Sequence, residues 1–218
     1  MNVSKIRAAK LSAVCLSILG ALAGFWHGFF EMLQGNISPE SIRIASIGPS
    51  QRFWEHGREP ALTIIPNFMI TGILAMVISL LIIVWAIAFI DKKYGLWGLI
   101  LLSVMLLLFG GGFAPPTYMI LAIIAAVRLN KPLKWRYGQF SHKLKNFLAR
   151  LWPGSLIIMV ILTLFAIEAG IFGFPLTLFL TSRDTLTFMR IFGYSTFFGI
   201  GPVVILSAFA YDSGRENT

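Results

Sequence analysis

His27, Glu31 and Gln34 sit at helical spacing inside one apolar segment, AGFWHGFFEMLQGN (Ala23 to Asn36). At about 100° per residue, Glu31 lies about 40° and Gln34 about 20° from His27 around a helix. Gly20, Gly24 and Gly28 share the same arc of about 120°, while Phe25, Trp26, Phe29 and Phe30 take the remaining directions. Imidazole exchanges protons near neutrality, and a carboxyl group next to it can store one. Glycines at four-residue intervals let a second helix come close. The pattern predicts a helix whose polar stripe looks into a bundle and whose aromatics look outward.

Other polar residues recur at the same level of neighbouring apolar segments. Glu168 lies six residues before Phe174, and Arg190 lies a short way into the final apolar segment. Asn67 and Thr71 follow Pro66, Thr117 and Tyr118 follow the sequence GGGFAPP, and Tyr194 sits one turn beyond Arg190. The opposite halves of these segments offer mainly the hydroxyls of Ser12, Ser17, Ser79, Ser103 and Ser207. A charge within a membrane costs about 2.5–3.5 kcal/mol at mid-depth and is usually paired.

Three readings follow from this concentration. His27, Glu31, Gln34, Asn67, Tyr118, Glu168 and Arg190 form an outward-facing pocket for a small solute, a cation or a proton. Alternatively, Arg190 pairs with Glu168 or Glu31, His27 bonds Glu31, and the cluster only staples helices in a structural or assembly subunit. The third reading is an intramembrane metal-dependent enzyme using His27, Glu31 and Glu168. Under the pocket reading, His27→Ala and Glu31→Gln abolish activity and leave expression intact; under the staple reading, both variants fail to fold. No HExxH, GxSxG or phosphate-binding loop is present, no catalytic residue is assigned, and the sequence identifies no cofactor or metal.

Composition sets the frame for these residues. The 218-residue chain is 57% hydrophobic and only 12% charged, against about 25% charged in soluble domains. Its apolar runs are long and do not alternate, which predicts an all-α, polytopic membrane bundle rather than a β-barrel. The lone Cys15 excludes an intramolecular disulfide and a multi-cysteine metal site. Lys5, Arg7 and Lys10 followed by Leu11 to Gly20 and Ala21-Leu22-Ala23 imitate a secretory leader. The apolar run continues to Leu33, however, about 23 residues in all, which favours a retained first helix over cleavage of residues 1–23.

Segment lengths then raise a topological choice. Apolar segments cover about 11–34, 61–90, 95–127, 153–174 and 186–211. The stretch Gly95 to Val127 has no charge and is too long for one crossing of roughly 20 residues, yet short for two. If it folds as a hairpin, with helices 95–112 and 114–128 turning at Gly110, Gly111, Gly112, Pro115 and Pro116, thirteen Lys and Arg fall on one side. Only Arg43, Arg52, Arg58 and Arg183 fall on the other, with Arg190 left inside the last span. That asymmetry predicts six spans in one membrane domain (1–218) of the cell membrane, with both termini cytoplasmic and the 35–60 loop outside. Tags near Ala114 and Gly138 should then report from outside and from the cytoplasm, respectively.

The net charge of +9 is accounted for by these inner loops, so nucleic acid is not the expected partner. Within the basic loop 128–152, Leu144, Phe147, Leu148 and Leu151 form an apolar stripe among Lys143, Lys145 and Arg150. This predicts an amphipathic helix over about 141–152, lying on anionic lipids of the inner leaflet. The outer loop is expected to hold two short helices, one starting at Ser38-Pro39-Glu40-Ser41 and one over Pro49 to Gly57, as a lid or a connector. Asn36-Ile37-Ser38 is a formal glycosylation sequon weakened by Pro39. The likeness of AGFWHGF (Ala23 to Phe29) to AGIFGF (Ala169 to Phe174) is ascribed to the restricted alphabet of membrane helices. Six helices are few for a complete transporter, so a homo-oligomer or a role within a membrane complex is also expected.

Overall fold

The computed structural model describes residues 7–127, 129 and 141–215. Lys5 and most of the basic loop, including Arg128, Lys131, Lys134, Arg136 and Gly138, lie outside them. The described chain is mostly helical. Its elements are α1 (Ala8–Leu33), β1 (Arg43–Ala45), β2 (Pro60–Leu62), α2 (Phe68–Phe89), α3 (Gly95–Leu108), α4 (Ala114–Ala126), α5 (His142–Phe172), α6 (Ser182–Ser195) and α7 (Gly201–Arg215). A π-helical turn, Thr196–Ile200, joins α6 to α7 without a break. Four of the resulting rods are long and apolar enough to cross a membrane: α1, α2, α5 and the α6–α7 rod. Two shorter apolar helices, α3 and α4, follow one another across residues 109–113 and pack together.

α1 is the central helix and touches α2, α4, α5 and α7. Its glycine face is the packed face, as its sequence spacing predicted. A Cβ on Gly28 would lie 2.6 Å from the Gly72 carbonyl oxygen of α2, so both glycines are needed for the backbones to approach this closely. Gly20 lies against Pro115, Tyr118 and Met119 of α4, and Gly24 against Leu106 of α3 and Ser79 of α2. The core continues through Leu16, Ile82, Leu99, Met159 and Val204, all buried.

The 35–67 segment differs from its expected form. Ser38 to Ser41 is not helical, and only Pro49–Gln51 makes a single 3₁₀ turn. Instead β1 and β2 pair antiparallel, with Ile44 opposite Ala61. Three-residue strands are too short to show alternation, so sequence pattern could not reveal them. The α3–α4 turn extends the pair: Gly110 N–H donates to Leu62 O (2.8 Å), and Ile64 N–H to Leu108 O (3.0 Å). The hairpin tip thus extends a small sheet that caps one end of the bundle. Pro115 and Pro116 belong to the first turn of α4, where a missing N–H costs little.

Aromatic packing holds the cap down. Phe53 sits between Phe30 and Phe172, with centroids at 6.2 and 4.7 Å, and Trp54 Nε1–H donates to Gly170 O of α5 (3.0 Å). At the opposite end, the amphipathic segment expected over 141–152 runs straight into α5, with Pro153 inside the helix. Leu144 and Phe147 remain exposed there, and Trp152 Nε1–H donates to Ser12 Oγ (2.9 Å).

Asp212 of α7 closes the start of α1, accepting from Ala8 N–H (2.6 Å) and Ala9 N–H (3.0 Å). Lys10 pairs with Asp91 at 2.6 Å, which holds the Asp91 carboxyl below its ordinary range. The stabilisation is therefore present above the unfolded pKa of Asp91 and is lost as pH falls through the lower folded value. Both partners are about a third accessible, so Asp91→Asn should cost under about 1 kcal/mol. Thermal melts of the two proteins should converge in acid; a gap that persists there would contradict the pairing.

Candidate functional site

Beneath the cap, the end of α1 brings its stripe against strand β1 and the residues just after it. Ser46 Oγ–H donates to Glu31 Oε1 at 2.6 Å, and His27 Nδ1 lies 2.8 Å from the same Ser46 oxygen. His27 and Glu31 are therefore joined through a hydroxyl from the loop rather than directly. All three side chains are buried. Gln34 Nε2–H donates to Ala45 O (3.0 Å) and Ser46 O (2.7 Å), fixing the strand over the helix end.

The glycine tip forms the roof. Gly110 and Gly112 adopt φ of +89° and +83°, conformations open mainly to glycine. A Cβ on Gly110 would strike the Glu31 carboxyl group, and one on Gly112 would strike the His27 ring. The backbone thus lies directly on both groups. Glu31 Oε2 is buried beside this roof and has no hydrogen-bond partner among the described residues.

On the other edge of the His27 ring lies a cavity of about 90 Å³, lined by Trp26, His27, Glu59, Tyr118, Ala166 and Ile171. That is room for a few water molecules or a small ion. Glu59 Oε2 stands 3.8 Å from His27 Nε2, beyond a direct hydrogen bond but suited to a bridging water. The Glu59 backbone has φ +41°, unusual for a residue other than glycine, and its carbonyl accepts from Ser46 N–H (2.8 Å). Gly170 of α5 leaves room for its carboxyl, since a Cβ there would sit 3.0 Å from Glu59 Oε1. Enclosure by the protein pushes the Glu59 carboxyl above its ordinary range. About a third of the side chain stays accessible, and that part serves the cavity wall.

The sequence-derived site residues therefore separate into groups. His27, Glu31 and Gln34 meet at the cap, Gly110 and Gly112 cover them, and Tyr118 lines the cavity. Asn67 instead caps α2, accepting from Ile70 N–H (3.0 Å), and its side-chain amide donates to Asn36. Glu168 is half-buried on α5 and Arg190 is exposed on α6; among the described residues no ion pair joins Arg190 to Glu168 or Glu31. Ser46 and Glu59 were not anticipated. Both come from the loop, and nothing in their local sequence sets them apart from the other serines and acids there.

No group of three metal-ligating side chains is assembled among the described residues. What the geometry can do is pass a proton. With Nδ1–H donating to Ser46 and Ser46 donating to Glu31, the line runs one way. When a proton from the cavity binds Nε2, the Nδ1 proton passes to Ser46 Oγ and the Ser46 proton to Glu31, so that both hydrogen bonds reverse and His27 is left neutral with its proton on Nε2.

Fold and site together define a mostly helical membrane protein in which a cap covers a buried polar cluster beside a small cavity. No protein-family model, no curated protein and no solved structure matches the chain.

Proposed function

We propose that this protein takes up protons at an outward-facing pocket and couples them to the movement or binding of a small solute or cation. The observation that carries this reading is the unbroken line from the cavity wall through His27 and Ser46 to the buried Glu31. Glu59 stands at the open end of that line, where it would collect the proton. The orientation follows from the basic residues: with α3 and α4 both entering the membrane as a hairpin, the cap faces outward and both termini are cytoplasmic. The bilayer of the cell membrane, with anionic lipids against the basic inner face, is the surrounding partner.

The pocket is tested on the intact protein in proteoliposomes by infrared difference spectra between acid and alkaline pH. A protonated-carboxyl carbonyl band should appear, and Glu31→Gln should remove it. His27→Ala should slow its appearance after a pH jump. Because the Glu59 carboxyl is raised, proton entry should fall as pH rises through a midpoint above the ordinary carboxylate range, and Glu59→Gln should abolish that step. A wild-type protein without such a band, or a band unchanged by Glu31→Gln in a folded variant, overturns the reading. Epitope tags at Ser41 and between Lys92 and Lys93 should report from opposite sides of the membrane, the first from outside.

A second reading rests on the same bonds: Ser46 and Gln34 tie the cap to α1, so the cluster can act as a structural staple. It predicts that Glu31→Gln and His27→Ala lose the folded state, not merely the band.

A further inference from the structure

Two charged residues remain outside the capped site, and their depths coincide. The rings of Phe165 and Phe192 meet where α5 and α6 pack, with centroids 5.4 Å apart. The two helices run in opposite directions from the cap end. From that contact Glu168 is three residues, about 4.5 Å, toward the cap, and Arg190 is two residues, about 3 Å, in the same direction. They therefore lie at one level of the membrane.

They cannot pair within one chain. Arg190 is about 160° around α6 from Phe192, so it points away from α5. The inward stripe of α6 is Thr185, Met189, Phe192 and Thr196, and Arg190 is at least about 100° from each of these. Glu168 belongs to the outward stripe of α5, in line with Ile161, Leu164 and Phe172, all exposed. Neither charge has a hydrogen bond or an ion pair among the described residues. An acid and a base left on apolar outer surfaces within the membrane each call for an opposite charge.

A second copy of the chain supplies both. In a two-fold dimer whose axis is normal to the membrane, residues that meet must lie at equal depth, and each contact occurs twice. We propose that the protein forms such a homodimer through the outer faces of α5 and α6, with Arg190 of one protomer paired to Glu168 of the other. Ile191 and Tyr194 on α6 and Phe198 in the π-helical turn after it, each more than 60% exposed, supply the apolar part of that surface.

Counting photobleaching steps of singly labelled full-length protein in bilayers tests this directly. Wild type should bleach in two steps. Arg190→Ala and Glu168→Ala each delete both ion pairs of their own homodimer, and should weaken association about tenfold. Co-reconstitution of the two variants with different dyes is the decisive arm. The mixed dimer keeps one intact pair, so mixed dimers should outnumber either variant's homodimer. A monomeric wild type, single variants that dimerise as wild type does, or an absence of mixed-dimer enrichment would overturn the proposal. The first of these outcomes would leave Arg190 to lipid phosphates. None of the arms reads proton uptake, so failure here is separate from failure at the pocket.

Discussion

Gly110→Val should detach the cap and unfold the upper end of the bundle, with a loss of about 2–5 kcal/mol. Two independent causes add. At φ +89° any β-carbon is strained, and a β-branched one most of all. The same carbon would occupy the place of the Glu31 carboxyl, which is fully buried and has no free direction in which to retreat. Gly110 also donates its N–H to Leu62 O, so displacing the tip strips the sheet edge of its partner. Chemical denaturation followed by tryptophan emission should show the loss, because Trp54 is bonded to Gly170 under the cap. Gly35→Ala is the control: it has the same sign of φ (+87°), but a Cβ there meets nothing within 4 Å. Its cost should be the backbone term alone, about 1–2 kcal/mol. Equal losses for the two variants would mean that the tip does not press on Glu31.

Ser46→Ala should have the larger effect on chemistry. The hydroxyl links His27 to Glu31, and its removal leaves both oxygens of a buried carboxyl group without a partner among the described residues. Breaking a proton relay of this kind costs about 10²-fold in transfer rate. The unsatisfied carboxyl adds about 1–3 kcal/mol of destabilisation. Ser46→Thr retains the hydroxyl and should restore most of the rate, which a purely structural role for Ser46 would not require. The readout is the rise time of the Glu31 carboxyl band after a pH jump. A Ser46→Ala protein with wild-type kinetics would exclude Ser46 from the path and leave water as the carrier.

The outcome at the site shows how far residue spacing can reach. His27, Glu31 and Gln34 were placed on one inward face by their spacing alone, and the glycines beside them marked the face that neighbours pack against. A helical wheel relates residues to their own axis, however, and says nothing about which neighbour stands opposite. Glu168 and Arg190 share the level of the site but sit on the outer sides of α5 and α6, so equal depth did not mean contact. The acid that reaches His27 is Glu59, carried in by a loop whose path depends on pairing with β1 and on the space left by Gly170.

The turn at GGGFAPP has the same division. An uncharged stretch of awkward length, glycines and prolines at its middle and the distribution of lysine and arginine were enough to predict a helical hairpin. They could not indicate that the tip would join a sheet, because the strands it meets are three residues long and show no alternation of their own.

By itself, the sequence determined that this is a helical membrane protein, that α1 presents a polar, glycine-lined stripe to its neighbours, and that the 95–127 stretch doubles back. Those properties arise from hydrophobic length and from periodicity, both of which are local. Only the tertiary structure decided that Ser46 bridges His27 to Glu31, that Glu59 guards the cavity, and that a glycine roof seals them. These contacts join residues far apart in the chain, and the hydrogen bonds and close approaches that select them exist only once the cap has folded onto the helices.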